Sequence, residues 1–135
     1  MAFALTDVYV EINSINWSAL ARQVSLPFEA EDLDSTTFGT TGWRSRIAGL
    51  KDGSVDIEFV NDFEAAGLDE VLWALFGQTT TVLIRPRSAP VSGTNPAYTG
   101  PVLVTQVNPI DGTVGDLATR SVSWPIAGPW ERLTS

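Results

Sequence analysis

From Asp7 to Asn13 the apolar residues Val8, Val10 and Ile12 alternate with Asp7, Tyr9 and Glu11, the period-two pattern of a half-buried strand. A second strand is expected over 23–31, with Val24, Leu26, Phe28 and Ala30 on one side and Ser25, Pro27, Glu29 and Glu31 on the other. Pro27 has no N–H to give a ladder, so that part of the strand belongs at an edge or a bulge. A third is expected over 54–61, with Val55, Ile57 and Phe59 inward and Asp56 and Glu58 outward. The period then changes. Leu68, Val71, Leu72, Leu75 and Phe76 make one helical stripe, with Asp69 and Glu70 in the first turn and Gly77 where a C-terminal cap is needed. Trp73 lies off the edge of that stripe, either flanking the core or meeting a neighbouring subunit.

Beyond the helix, residues 79–85 and 98–107 read as strands. In the second of these, Val102 and Val104 point one way and Leu103 and Val107 the other, so it is expected to be covered on both faces. Residues 118–126 alternate Val122, Trp124 and Ile126 with Thr119, Ser121 and Ser123, and Trp124 is expected in the core. The pattern predicts a mainly β fold: an antiparallel β-sandwich with one flanking α-helix and extended loops. Three long connections are expected, over 32–49, 86–96 and 108–116. The first carries Phe38 and Trp43, and a long loop with two large aromatics is a poor candidate for disorder; something is expected to pack on it. Asp52-Gly53 and Asp111-Gly112 read as turns. No repeat or linker divides the chain, so residues 1–135 are expected to form a single domain, the usual size for one.

Composition narrows the chemistry. With no cysteine and no histidine, disulfides, thiolate sites, thiol catalysis and the commonest general base are excluded. Sixteen acids against eight bases, only one of them lysine, leave a net charge of −8, which argues against specific binding to nucleic-acid phosphates. No apolar run reaches the length of a membrane helix, and residues 1–7 lack the basic flank and apolar stretch of a signal peptide. The pairs Glu29 with Glu31, Asp32 with Asp34, and Asp56 with Glu58 are the available carboxylate couples for glycoside hydrolysis, but alternating acids on a strand usually mark a solvated face. Asp32-x-Asp34 lacks the glycine and distal glutamate of a calcium loop, and no Gly-Lys-Ser/Thr follows Gly39-Thr40-Thr41-Gly42. No active site and no cofactor are expected. Five tryptophans raise a carbohydrate-binding alternative through Trp17, Trp43 or Trp130, against core or interface roles.

The order of the pieces resembles the tail tube (major tail) proteins of long-tailed bacteriophages. An alternating first strand leads to a second that ends in acids 29–34; Ser-Thr-Thr-Phe-Gly at 35–39 follows, then Trp43-Arg44-Ser45-Arg46-Ile47-Ala48-Gly49-Leu50-Lys51-Asp52-Gly53, a strand with Phe59 and the short helix. Tyr98-Thr99-Gly100, Gly115-Asp116-Leu117-Ala118-Thr119 and Ser121-Val122-Ser123-Trp124-Pro125 before Gly128 complete a likeness that spans nearly the whole chain. The resemblance implies a fold similar to contractile-tail and type VI secretion tubes. Subunits of that family form hexameric rings that stack into a hollow tube in the virion tail, assembled in the host cytoplasm, with no cofactor and no catalysis. The implied partners are identical subunits, a tape-measure protein, and tail terminator and tail-tip proteins; genome DNA passes through without specific binding, and no membrane is involved. Other virion β-sandwiches, such as a head decoration or connector protein, are the alternative of the same setting.

Under that reading, six copies would bring roughly −48 to a ring, and an acidic wall would repel duplex phosphates and favour sliding. Screening limits the effect to lumen-facing acids. The candidates are Glu11, Glu29, Asp56 and Glu58, each on a strand opposite an apolar face. Phe38, Trp43, Arg44 and Arg46 are the candidates for contact between rings, and Trp73 for contact between subunits, because aromatic anchors and arginine concentrate in buried interfaces. The competing expectation folds the 32–49 loop back on its own sandwich with Trp43 in the core.

Overall fold

The computed structural model describes residues 2–135; Met1, part of the opening stretch read above for a leader, lies outside them. Two antiparallel sheets face each other across one apolar cluster. The first has the order β2-β1-β6-β7-β9, built from β1 (Tyr9–Ile12), β2 (Ile15–Asn16), β6 (Thr79–Arg85), β7 (Ala97–Leu103) and β9 (Glu131–Leu133). The second places β5 (Arg46–Val60) at its centre, with β3 (Ala21–Ser25) and β4 (Phe28–Asp34) on one side and β8 (Thr119–Pro125) on the other. Val10, Ile12, Val82, Ile84 and Val102 from the first sheet meet Val55, Ile57, Phe59, Val122 and Trp124 from the second. These are the inward positions of the alternating runs, so period-two patterning decides which face each strand turns to the core.

The helix α1 (Leu68–Leu75) adds Leu68 and Leu72 to the same cluster. Its N-terminus has no side-chain cap of its own, but Glu70 reaches back to accept a hydrogen bond from the Ala66 amide at 2.6 Å. Gly77 follows the helix at φ +82°, the left-handed conformation expected of a residue that stops a helix. Asp69, in the first turn, receives Arg120 Nη2 at 2.7 Å. Arg120 is fully buried; it also donates to Asn61 Oδ1 and to the Val107 carbonyl. One guanidinium therefore ties the helix, the end of β5 and the chain after β7 to β8. A lone arginine in a polar-looking stretch gives no sequence signal of this role, although its parity with Val122 and Trp124 places it on the inward face.

Several expectations change. The third strand does not begin at 54: β5 starts at Arg46, and β4 runs on to Asp34, so both ends of the expected 32–49 loop are strand and only 35–45 connects. Asp52-Gly53 is not a turn; it lies inside β5, where Gly53 sits beneath the Phe28 ring. β7 stops at Leu103, opposite Thr79, the first residue of β6; Val104 still bonds to the turn after the helix, accepting from the Gly77 amide at 2.8 Å and donating to the Gln78 carbonyl at 3.0 Å. Val107 is nevertheless buried, in the segment that runs on alongside β8. The edge position expected for Pro27 is present, and there the expected strand divides: β3 and β4 run in one register along the same side of β5, interrupted at Leu26–Pro27.

Candidate assembly surfaces

The register of the second sheet gathers acids on one face. Ser25 pairs with Asp56, Gln23 with Glu58 and Glu29 with Asp52, so Glu29, Asp52, Asp56 and Glu58 share the side of the sheet opposite Val55, Ile57 and Phe59. Across β8 the same face presents Ser121 opposite Glu58 and Ser123 opposite Asp56. Asp56 accepts hydrogen bonds from Ser54 and Ser123. Among these paired positions there is no lysine or arginine, and Glu29 and Asp52 stand directly opposite each other, a like-charge pair that weakens the isolated chain slightly. Three of the four acids singled out from sequence are thus brought together. Glu11 is not: it lies on β1 in the other sheet, paired with Asn16 and Leu83. Asp52 escapes sequence reading because its Asp-Gly dipeptide resembles a turn; counting back by twos from Glu58 through Asp56 and Ser54 would have found it.

The outer half of β5 and all of β4 form a two-stranded ribbon that leaves the sandwich. Every residue of β4 is exposed, as are Arg46, Ile47, Ala48, Leu50, Lys51 and Asp52 of β5. A bulge puts one extra β5 residue opposite the step from Ala30 to Asp32. Beyond it Leu33 faces Ile47, while Asp34 faces Arg46. Arg46 Nε lies 3.1 Å from Asp32, and Arg44 Nη1 lies 3.2 Å from Asp34; both pairs are exposed and contribute little in water. The Thr36 hydroxyl, and after it the Thr36 amide, hold the Asp34 carboxyl below its ordinary value. At the tip a single 3-10 turn, Phe38–Thr40, leaves Phe38 wholly exposed and Trp43 79% exposed. Trp43 does not fold back into the core.

A free two-stranded ribbon is marginal in water. This one also carries Phe38, Trp43, Leu33, Ile47 and Leu50 on its surface, an apolar load that ordinary monomers do not leave uncovered. At its base Phe28 packs against Trp130, ring centroids 5.5 Å apart, and Trp130 closes over Gly100, where a Cβ would collide with the indole. The groove there holds about 680 Å³ and is bordered by Phe28, Lys51, Tyr98, Trp130 and Arg132. Of the three tryptophans considered as sugar platforms, Trp17 is buried, Trp130 is half-buried against its own chain and Trp43 stands free. Trp73 is exposed on α1, its ring 5.8 Å from that of Phe76. Among the described residues no cluster of three or more acids is placed to hold a metal ion.

Two antiparallel sheets on one core, one flanking helix and a projecting ribbon make an antiparallel β-sandwich. The fold is similar to that of a chain in the virion of the native gene transfer agent (GTA) particle, with a TM-score of 0.76 and 22% identity over 98% of this chain and 100% of that one. It is also similar to a chain in the tail of the empty GTA particle, solved with helical refinement and C6 symmetry, with a TM-score of 0.78 and 18% identity over 98% of this chain and 100% of that one. No protein-family model matches the sequence, and no curated protein does.

Proposed function

We propose that this chain, acting as a single domain, is a structural subunit of a virion tail tube: six copies close into a ring, and rings stack around a bore lined by the Glu29, Asp52, Asp56 and Glu58 face. The observation that carries the reading is the ribbon of residues 28–53, whose apolar surface beyond Phe28, at Leu33, Phe38, Trp43, Ile47 and Leu50, is left exposed by the described residues. The likeness in fold to a chain of a tail with C6 symmetry supports the same reading. The role is mechanical, without catalysis or cofactor. Tape-measure protein would fill the bore during assembly, terminator and tip proteins would close its ends, and DNA would pass through afterwards.

Physically, an acidic, hydroxyl-rich wall suits that passage. Duplex DNA carries a negative charge about every 1.7 Å of axis, so a wall without bases offers no phosphate a partner. The repulsion reaches only about 8–10 Å at moderate salt, which confines the effect to acids that face the bore. Glu11, on the other sheet, fits an outer or lateral position better than the bore.

Negative-stain microscopy of the purified chain tests the reading. Stacked rings or hollow tubes support it. A chain that stays monomeric at high concentration overturns it, and a monomer that also binds glycans would favour the carbohydrate-binding alternative instead.

A further inference from the structure

Two aspartates, Asp52 and Asp111, precede a glycine, and no asparagine does. Such a pair can close on itself. The glycine nitrogen attacks the aspartate Cγ, a C–N bond forms, and a carboxyl oxygen leaves as water together with the amide proton. The product is a cyclic imide, a succinimide. Water then opens one of its two carbonyls. Attack at the side-chain carbon returns aspartate; attack at the main-chain carbon leaves isoaspartate, whose chain runs through Cβ and Cγ and whose free carboxylate sits on Cα. Glycine favours the step because no side chain crowds the attacking nitrogen and the backbone turns freely there. In sequence the two sites are equivalent. The fold separates them.

Asp52–Gly53 sits at the base of the arm that β4 and β5 form. Asp52 stands opposite Glu29 and Gly53 opposite Phe28, and the Gly53 carbonyl accepts from the Ile126 amide at 3.1 Å. The Phe28 ring lies against Gly53 where a Cβ would point. Asp52 Oδ1 is 2.8 Å from the Gly53 nitrogen, but as the acceptor of its N–H. Ring closure instead needs the π electrons of that nitrogen, perpendicular to the peptide plane, aimed at Cγ, and a backbone rotation that a paired strand resists.

Asp111–Gly112 lies in a loop that is fastened at its ends and loose between them. The Asn61 side chain donates to the Pro109 and Thr119 carbonyls, each at 3.2 Å, and the Asn61 amide donates to the Ala118 carbonyl at 2.9 Å. Residues 110–118 are all exposed. Asp111 is tied by a single bridge to Thr119 and by a 3.3 Å bond from Asn108 Nδ2, and a Cβ at Gly112 would meet no atom within 4 Å. Loops of this kind open locally at little cost, unlike the centre of a sheet. We propose that Asp111 is the site of spontaneous isoaspartate formation in this protein and that Asp52 is spared. The extra methylene enters the main chain between two fastened points, so the loop bulges and the sandwich stays closed. The proposal is independent of the tube reading.

The test ages the full chain in warm, mildly acidic buffer and digests it with trypsin, whose cut after Arg87 leaves the two sites on different peptides. Electron-transfer dissociation then reads the isoaspartate, which has unchanged mass but its own fragment ions, and the succinimide, lighter by one water. Isoaspartate at Asp111 is expected to exceed that at Asp52 by at least about tenfold, the factor that about 1.4 kcal/mol of local opening of β5 imposes on a rate. Synthetic peptides spanning 50–55 and 108–116 are expected to convert at similar rates, so that the difference belongs to the fold. Gly112→Ala is expected to slow conversion at Asp111 without lowering Tm, because its φ lies outside the left-handed region and the space beside it is open. Equal conversion at the two sites, conversion at Asp52 alone, or an Asp111 that stays intact while its peptide converts overturns the proposal. So does a Gly112→Ala chain that converts as fast as wild type.

Discussion

Replacing Arg120 with methionine keeps much of the buried volume and removes the charge that joins α1 to the sheets. The guanidinium is fully buried and makes three contacts: Asp69 at 2.7 Å, the Val107 carbonyl at 3.2 Å and Asn61 Oδ1. Breaking a buried ion pair by deleting one partner costs about 3–5 kcal/mol. Asp69 remains one-third exposed and can recover water, which places the loss at the lower end. The Val107 carbonyl and Asn61 oxygen lose donors, at about 1–3 kcal/mol for each acceptor that water does not reach. With both acceptors at the low end, the expected total is about 5 kcal/mol, which for a chain of this length lowers Tm by roughly 15 °C. Circular dichroism melts of the unassembled protein measure it. Asp69→Leu added to Arg120→Met should cost less than the two single losses summed, because the groups act as one unit. A fall in Tm below about 3 °C for Arg120→Met would refute the reasoning that this pair fastens the helix.

Other outcomes follow from the same packing. Phe38→Ala with Trp43→Ala should leave the melting of the monomer within about 0.5 kcal/mol of wild type, as exposed substitutions do, yet abolish stacked assemblies in negative stain. Gly100→Ala places a methyl group in the Trp130 indole, so the Phe28–Trp130 contact at the arm base should open, at about 1–3 kcal/mol by chemical denaturation. Asp56→Lys with Glu58→Lys should still assemble but slow DNA passage in an ejection assay; unchanged ejection would remove those positions from the bore. Asp34 titrates below its unfolded value, so its contribution to the ordering of the tip is present above the unfolded value and lost as pH falls through the folded one. NMR titration should show the Thr36 amide moving with that carboxyl at acid pH, while amides of β8 stay still.

The parts of the fold visible in the sequence are those where burial is one-sided. Val55, Ile57 and Phe59, or Val122 and Trp124, announce their strands because one face meets the core and the other meets water. The ribbon is silent for the opposite reason: with water on both faces, Ile47, Leu50, Gly49 and Gly53 have no period to obey, so the strand looks like a loop. β2 and β9 are two and three residues long and too short to show a pattern. The acidic face is legible where it opposes a core strand, at Asp56 and Glu58, and at Glu29, but not at Asp52, hidden by Asp-Gly. Glu11 alternates just as well as the others, and only the strand order separates it from them. The candidate interface residues Phe38 and Trp43 stand out through their misfit, large aromatics in a polar stretch.

A reconstruction of the assembled protein, at a resolution that traces strands, bears most directly on all of this. The account requires six copies around a channel, with Asp52, Asp56 and Glu58 of β5 directed at the axis and the 28–53 ribbon covered by a neighbour. A ring that turns this face outward, or a bore lined by arginine and lysine, would contradict it.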